Sequence, residues 1–434
     1  MVISYYGQRM VTINAPARNW AGNVTFGARR THRPATVGEL RRIVAGSPQL
    51  RVLGSGHSFN LIADTPGDLV RVDGLPPRTE IDAERRRVTI SAGMRYAEVT
   101  AALHAAGFAL ANLASLPHIS IAGSCTTGTH GSGNSQPGLA NAVTAVELIG
   151  PDGEIARLER DADPDVFPGA VVSLGALGVI TAMELEIEPA FQAAQWVYEN
   201  VPLDGIDTAR FDEITGAAYS VSTFTRWDDG RGTVVLKRRL DRESGAHPGE
   251  DWQGGTLATA PWHPIPGAPT EHSTQQLGVP GPWHERLPHF RPDYSPSHGE
   301  ELQSELFLPR SAAPAAFAVL RELGERMAPV LQVSEVRTIA ADALWLSPSS
   351  GRETVAFHFT WTLETERVLP VLGEMEARLL PLGARPHWGK LTMMPPATVT
   401  ASYPRFADFR RLVLSRDPAG VFRNPFVAAL LGTD

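Results

Sequence analysis

Cysteine is almost absent. The chain of 434 residues has one, Cys125, and a lone thiol cannot form an internal disulfide, so nothing in the fold calls for an oxidising compartment. The cytoplasm is the expected location. Long apolar runs are missing too: no window reaches the roughly 18 uncharged apolar residues of a membrane-spanning helix. Met1 to Trp20 also lacks an apolar core followed by a small-residue cleavage site. Export and membrane anchoring therefore have no support. Positive charge is in deficit, with 39 Lys and Arg against 47 Asp and Glu and a formal net charge of -8. A nucleic-acid partner needs a basic face to displace counterions, so small molecules are the expected ligands. No internal repeat or low-complexity tract is visible, which leaves solenoids and propellers unsupported. What is present, 43% hydrophobic and 20% charged residues, suits a soluble globular chain. At about 150 residues per domain, its length suits two or three domains.

Thr36 followed by Glu39 is a capping-box pattern that opens a short helix running to Ile43. Gln49 to Leu53 reads as a strand that breaks at Gly54-Ser55-Gly56-His57-Ser58-Phe59-Asn60. Leu69 to Val72 and Arg87 to Ser91 are further strands, and Tyr96 to Ala106 is a helix stopped by Gly107. Ala142 to Ile149 and Glu154 to Leu158 flank Pro151-Asp152-Gly153 as a β-hairpin, and Val179 to Ile187 alternates as a strand before Pro189. Residues 241 to 300, rich in Pro, Gly and His, predict a long irregular excursion. Strand signals return at Gln332 to Ala340 and Thr354 to Thr362, where polar and apolar residues alternate with period two.

Two groups of residues carry candidate chemistry. The first is the 54–60 loop with the long small-residue stretch from Asn112 to Gly133. Small side chains let backbone N–H groups approach a diphosphate closely, though such loops are also ordinary turns. Neither shows the Gly-x-Gly-x-x-Gly or Gly-Lys-Ser/Thr spacing of the common nucleotide folds. His57, at the mouth of the first loop, is a potential nucleophile or ligand as a neutral imidazole; a loop histidine is otherwise simply solvated. The second group is Glu335 and Arg337, two apart on one strand, with His358 and Thr360 two apart on another, so each pair projects from one sheet face. By spacing alone Glu335 and Arg337 read first as a solvated same-face pair. His263, His272, His284, His289 and His298 match no zinc spacing, so no metal site is expected, and Trp262, Trp283 and Tyr294 read as packing.

The motifs Gly54-Ser55-Gly56-His57-Ser58, Ala114-Ser115-Leu116-Pro117-His118-Ile119-Ser120, Gly128-Thr129-His130-Gly131, Ser173-Leu174-Gly175-Ala176-Leu177-Gly178 and His387-Trp388-Gly389-Lys390 run across most of the chain. In this order they resemble the vanillyl-alcohol-oxidase type of FAD-linked oxidase, and within it the alditol (xylitol) oxidases related to sugar-lactone oxidases. The resemblance implies an α+β fold: a two-subdomain FAD-binding domain over 1–192, a separate α+β substrate-binding cap over 193–385, and a segment over 386–434 returning to the FAD site. It implies FAD joined covalently through His57 to the flavin 8α-methyl carbon. Val52, Leu53, Gly54, Ser55, Gly56, His57 and Ser58 would wrap the diphosphate. Ser115, Ser120, Gly123, Ser124, Cys125, Thr126 and Ile180 would hold the rest of the cofactor largely through backbone groups, and His387 would touch the flavin from the far side. Some relatives carry a second, cysteinyl flavin link, but the pattern around Cys125 fits it poorly and reads as a small buried apolar residue.

With the resemblance, Glu335, Arg337, His358, Thr360 and Lys390 become the substrate site, as a polyol demands dense donors and acceptors. Arg337 and Lys390 would stabilise alkoxide charge, Glu335, His358 and Thr360 would grip hydroxyls, and Ser115 would position the reacting end. The expected activity is oxidation of the terminal primary alcohol of a linear alditol such as xylitol or sorbitol to the aldehyde, with dioxygen reduced to hydrogen peroxide. The expected partners are a small polyol and dioxygen, with no nucleic acid, no membrane and no metal, and the expected state is a monomer. The alternatives are a sugar-lactone oxidase or a dehydrogenase of the same fold using another acceptor. Ala114, where the resemblance puts an oxygen-gating residue, does not separate them. A non-catalytic sugar-binding module and a zinc hydrolase are the rivals from other classes.

Overall fold

The computed structural model describes residues 17–243, 245, 247–294 and 299–433. Most of the Met1–Trp20 leader reading, and His298, lie outside the described residues. Thr36 caps the first helix, α1 (Val37–Gly46), by accepting from the Glu39 N–H, and the Glu39 carboxylate accepts from the Ala35 N–H. The predicted capping box thus closes one residue earlier than its usual form. α1 connects β1 (Arg30–His32) to β2 (Leu50–Val52), and both flank β3 (Asp68–Val70) in a parallel three-stranded sheet. Parallel pairing needs such a crossover.

A five-stranded antiparallel sheet follows, with β4 (Thr79–Asp82), β5 (Arg87–Ser91), β6 (Val143–Ile149), β7 (Ile155–Glu159) and β8 (Val179–Glu186) in the order β4-β5-β8-β6-β7. The β6–β7 hairpin turns as predicted, with Gly153 at a φ of 80° that only glycine adopts at little cost. Between β5 and β6 lie α2 (Tyr96–Ala105), stopped by Gly107 at φ 83°, and α3 (Ile121–Thr126).

The remainder is built on a ten-stranded sheet. Its main strands are β9 (Gln192–Pro202), β10 (Ser220–Thr225), β11 (Arg231–Arg239), β12 (Glu301–Pro309), β13 (Leu331–Ile339) and β14 (Thr354–Thr362), paired antiparallel in the order β9-β11-β10-β13-β14-β12. Side chains alternate across a strand. Phe357, Phe359 and Trp361 of β14 therefore go to one face, where Phe357 meets Phe317 of α4 (Ala313–Glu322) at 5.7 Å between ring centroids and where α5 (Thr365–Leu379) packs. Residues of opposite parity go to the other face. There Phe224, Glu335, His358 and Glu305 stand opposite one another in register and form one rung across four strands.

α6 (Phe406–Arg416) and α7 (Pro425–Leu431) follow. The segment between them returns to the first sheet: the Leu50 N–H donates to the Val421 carbonyl at 2.7 Å, and the Asn424 amide donates to the carbonyls of Leu61 at 2.9 Å and Asp64 at 2.7 Å. No helix among the described residues is long and apolar enough to cross a membrane.

Candidate active site

One cavity joins the two groups of residues singled out in the sequence. One wall is the loop after β2, whose Leu53 N–H donates to Val70 and whose Gly56 takes φ 74°. A Cβ on Gly54 would lie 2.4 Å from Ser120 Oγ, and one on Gly123 would lie 2.7 Å from the same atom. Gly54 lets the loop come this close to the start of α3, Gly123 keeps the first turn of α3 clear beside the same hydroxyl, and the Ser120 N–H donates to Ser55 Oγ at 3.2 Å across the junction. The lining includes Val52, Leu53, Gly54, Ser55, Gly56, His57, Ser58, Ser115, Ser120, Gly123, Ser124, Thr126, Ile180 and His387.

The His57 imidazole stacks on Trp20 at 5.0 Å, and its Nδ1 is buried without a hydrogen-bond partner. Burial, helped by nearby His118, pulls its pKa down to about 4, so the ring is neutral with a free lone pair near neutral pH. His387 closes the far side: its Nδ1 accepts from the Gly389 N–H at 3.0 Å, which leaves Nε2 as the protonated nitrogen. The segment 387–390 is fastened to the first loop, as the Asn60 amide donates to the Trp388 carbonyl at 2.8 Å and to that of Lys390 at 2.9 Å.

The opposite wall is the polar face of the large sheet. Glu305, 1% exposed, is its hub. Its Oε1 accepts from Arg337 at 2.9 Å and faces His130 Nε2 at 3.0 Å, and its Oε2 accepts from Lys390 Nζ at 2.7 Å. Lys390 also donates to His358 Nδ1 at 2.8 Å, so His358 Nε2–H donates to Thr360 Oγ1 at 3.1 Å. Arg337 reaches Ser115 Oγ at 3.4 Å, and Glu335 Oε2 lies 3.6 Å from its Nε. That Nε–H has no hydrogen-bond partner among the described residues.

Electrostatics follow from burial and pairing. Burial raises the Glu305 carboxyl, but Lys390 and His130 outweigh it and hold the group well below the usual carboxylate range. Glu335 is likewise held low, because Arg337 and His289 overcome its burial. Burial pulls the Lys390 ammonium down, against the pull of Glu305. His358 falls to about 3 through burial and then Lys390, so it is a neutral hydrogen-bonding ring.

The molecule resembles known proteins along nearly its whole length. Residues 29–159 match the FAD binding domain family, and residues 300–430 match the D-arabinono-1,4-lactone oxidase family. An alditol oxidase from Streptomyces sp. is 50% identical over 420 residues, covering 95% of this chain and 98% of that protein. The chain belongs to the alditol oxidase family. L-Gulonolactone oxidase of Mus musculus is 24% identical, over 94% of this chain and 97% of the relative. Among solved structures, cholesterol oxidase from B. sterolicum has a TM-score of 0.76 at 14% identity, covering 96% of each chain. Xylooligosaccharide oxidase from Myceliophthora thermophila C1 has a TM-score of 0.71 at 12% identity, covering 95% of this chain and 93% of that one. The fold is therefore the α+β FAD-binding type expected from the sequence.

Cys125, expected to hold the cofactor through its backbone, has a fully buried side chain that does not line the cavity, in keeping with the small buried apolar residue read from the sequence. It packs in the core beside Tyr96, and burial pushes its thiol up to about 12, so it is neither exposed nor a thiolate. His289, weighed in the sequence only as part of a metal cluster, is instead a wall residue: its Nε2 lies 3.1 Å from Glu335 Oε1. Glu305 and His130 were also missed as site groups. Glu305 had a readable signal, because Glu301, Gln303 and Glu305 alternate with Leu302, Ser304 and Leu306. No group of His, Cys, Asp and Glu able to hold a metal occurs among the described residues.

Proposed function

We propose that this protein is an FAD-dependent oxidase that converts the terminal primary alcohol of a linear alditol, such as xylitol or sorbitol, to the aldehyde and reduces dioxygen to hydrogen peroxide. The observation that carries this reading is the cavity itself: a glycine-walled cradle with a neutral imidazole whose Nδ1 is unpartnered faces a sheet presenting Arg337, Lys390, Glu335, His358 and Thr360. FAD fits the cradle. Gly54 and Gly123 leave backbone exposed where any side chain would collide with Ser120, and His57 has a nitrogen lone pair available for a bond to the flavin. FAD supplies the two-electron acceptor that takes hydride from carbon and passes electrons on.

The chain's own residues do the rest. Glu335 offers an acceptor and Thr360 a hydroxyl whose oxygen is held by the His358 Nε2–H so that its proton is free to donate, which suits a chain of hydroxyl groups and penalises an analogue that leaves them unpaired. Arg337 and Lys390 place positive charge where the substrate oxygen becomes negative as its proton leaves. Ser115, held by Arg337, orients the reacting end. In the same reading the FAD-binding part spans 1–192, the cap 193–385 and the returning segment 386–434, and the enzyme works as a cytoplasmic monomer.

Purified protein should be yellow and keep its colour in the pellet after acid precipitation. Xylitol or sorbitol should bleach it without air and yield peroxide with air. A colourless protein overturns the reading. Reduction of dyes without peroxide, or bleaching by a sugar lactone alone, selects the lactone-active or dehydrogenase reading instead.

A further inference from the structure

Glu335 is gripped from behind by a buried pair for which the proposed chemistry has so far no use. Lys237 on β11 is 2% exposed, and no carboxylate pairs directly with it among the described residues. Its Nζ donates to the Leu287 carbonyl and lies 3.3 Å from His289 Nδ1. The Glu335 carboxylate only accepts, so the His289 nitrogen facing it bears the proton and Nδ1 accepts from the Lys237 ammonium. The neutral ring then carries its proton on Nε2, which points at Glu335 Oε1 at 3.1 Å and Ser222 Oγ at 3.2 Å. The backbone of the same residue is fixed too, since the His289 N–H donates to the Ser115 carbonyl at 3.2 Å. His289 thus ties the strand that carries Glu335 to the loop that carries Ser115.

We propose that Lys237 and His289 are positioning residues for the substrate-gripping carboxylate: Lys237 selects the His289 tautomer, and His289 Nε2–H holds one oxygen of Glu335 so that the other stays with Arg337 at the cavity. The inference rests on the reading of Glu335 as a hydroxyl-binding group of an alditol oxidase. Burial lowers His289 to about 4, in keeping with a neutral ring, and lowers Lys237 to about 7 against the pull of Glu335. The charged and titratable groups facing the trio are Arg337 on β13, His358 on β14 and Lys390 of the returning segment; from β10 the neighbours are Ser222 and the ring of Phe224, whose centroid is 5.1 Å from that of His289. A carboxylate that loses a hydrogen-bond donor in such a place titrates higher and wanders between rotamers.

The test uses the FAD-loaded enzyme and compares wild type with Lys237→Met, His289→Gln and Glu335→Gln on xylitol across pH. The positioning role predicts that Lys237→Met and His289→Gln raise KM by about tenfold, the scale of one hydrogen bond to a charged group. They should leave kcat and the flavin spectrum near those of wild type, and move the acid limb of kcat/KM to higher pH. Glu335→Gln should raise KM without that limb. Unchanged KM and pH profile in both variants overturn the role while wild-type turnover leaves the alditol reading standing; a wild type inert on every polyol overturns that reading. Whether or not the variants accumulate, histidine 15N spectra of the wild-type enzyme decide the tautomer: a proton on Nε2 alone supports the inference, and a proton on Nδ1 of His289 overturns it.

Discussion

Lys390 shows how a single side chain can serve two needs. Its ammonium neutralises Glu305 at 2.7 Å and still faces the cavity, so its removal should leave FAD bound and strip the charge stabilisation of the reacting oxygen. Lys390→Met is expected to lose about 10²–10³ in kcat while keeping wild-type flavin content, by steady-state assay and absorbance. In the proposed role the active form is the cation, which exists below the pKa. Burial lowers that pKa from 10.5, so kcat should fall as pH rises with a midpoint below 10.5, a limb that a kcat–pH profile of Lys390→Met should lack. Glu305 has the opposite sign. Its folded pKa is depressed, so its contribution to stability is present above the unfolded value of 4.5 and is lost as pH falls through the folded one. Glu305→Gln leaves Arg337 and Lys390 buried without their shared anion and should cost about 3–5 kcal/mol; denaturant melts at neutral pH would show it, and the gap should narrow in acid.

At the scale of elements, the cradle depends on one close approach. Gly54→Ala drives a methyl into Ser120 Oγ, so the hydroxyl must turn away or the loop after β2 must retreat from α3, and FAD content on purification should drop. Because Ser120 Cβ is 3.5 Å from that methyl, the double variant with Ser120→Ala should recover much of the loss; equal flavin content in the single variant and wild type would count against the cradle. Much of this architecture was legible. The capping residue of α1, the Asp-Gly hairpin of β6 and β7, and the period-two pairs on β13 and β14 are local patterns, and local patterns fix strands and facing directions. Glu305 shared that period-two signal on β12, although it follows directly on a Pro- and His-rich stretch that reads as irregular. Lys237 could not be read at all: Val-Val-Leu-Lys-Arg-Arg suggests a strand entering solvent, and only the long-range approach of His289 places that lysine inside.

Across the whole molecule, the C-terminal segment is stitched to the strand that leads into the cradle loop. Arg51, 4% exposed, donates to the carbonyls of Ile62, Leu174, Gly175 and Phe422, and the Gln49 amide donates to the Arg423 carbonyl at 2.7 Å. Deleting residues 417–434 should therefore lower thermal stability and FAD content together, as measured by melting and by the ratio of visible to ultraviolet absorbance; full FAD content in the truncated chain would sink the idea. The same stitching orders events in time. The strand that binds Val421 is translated long before its partner, so the edge of the first sheet stays open until residues 421–424 have been made and can close on it.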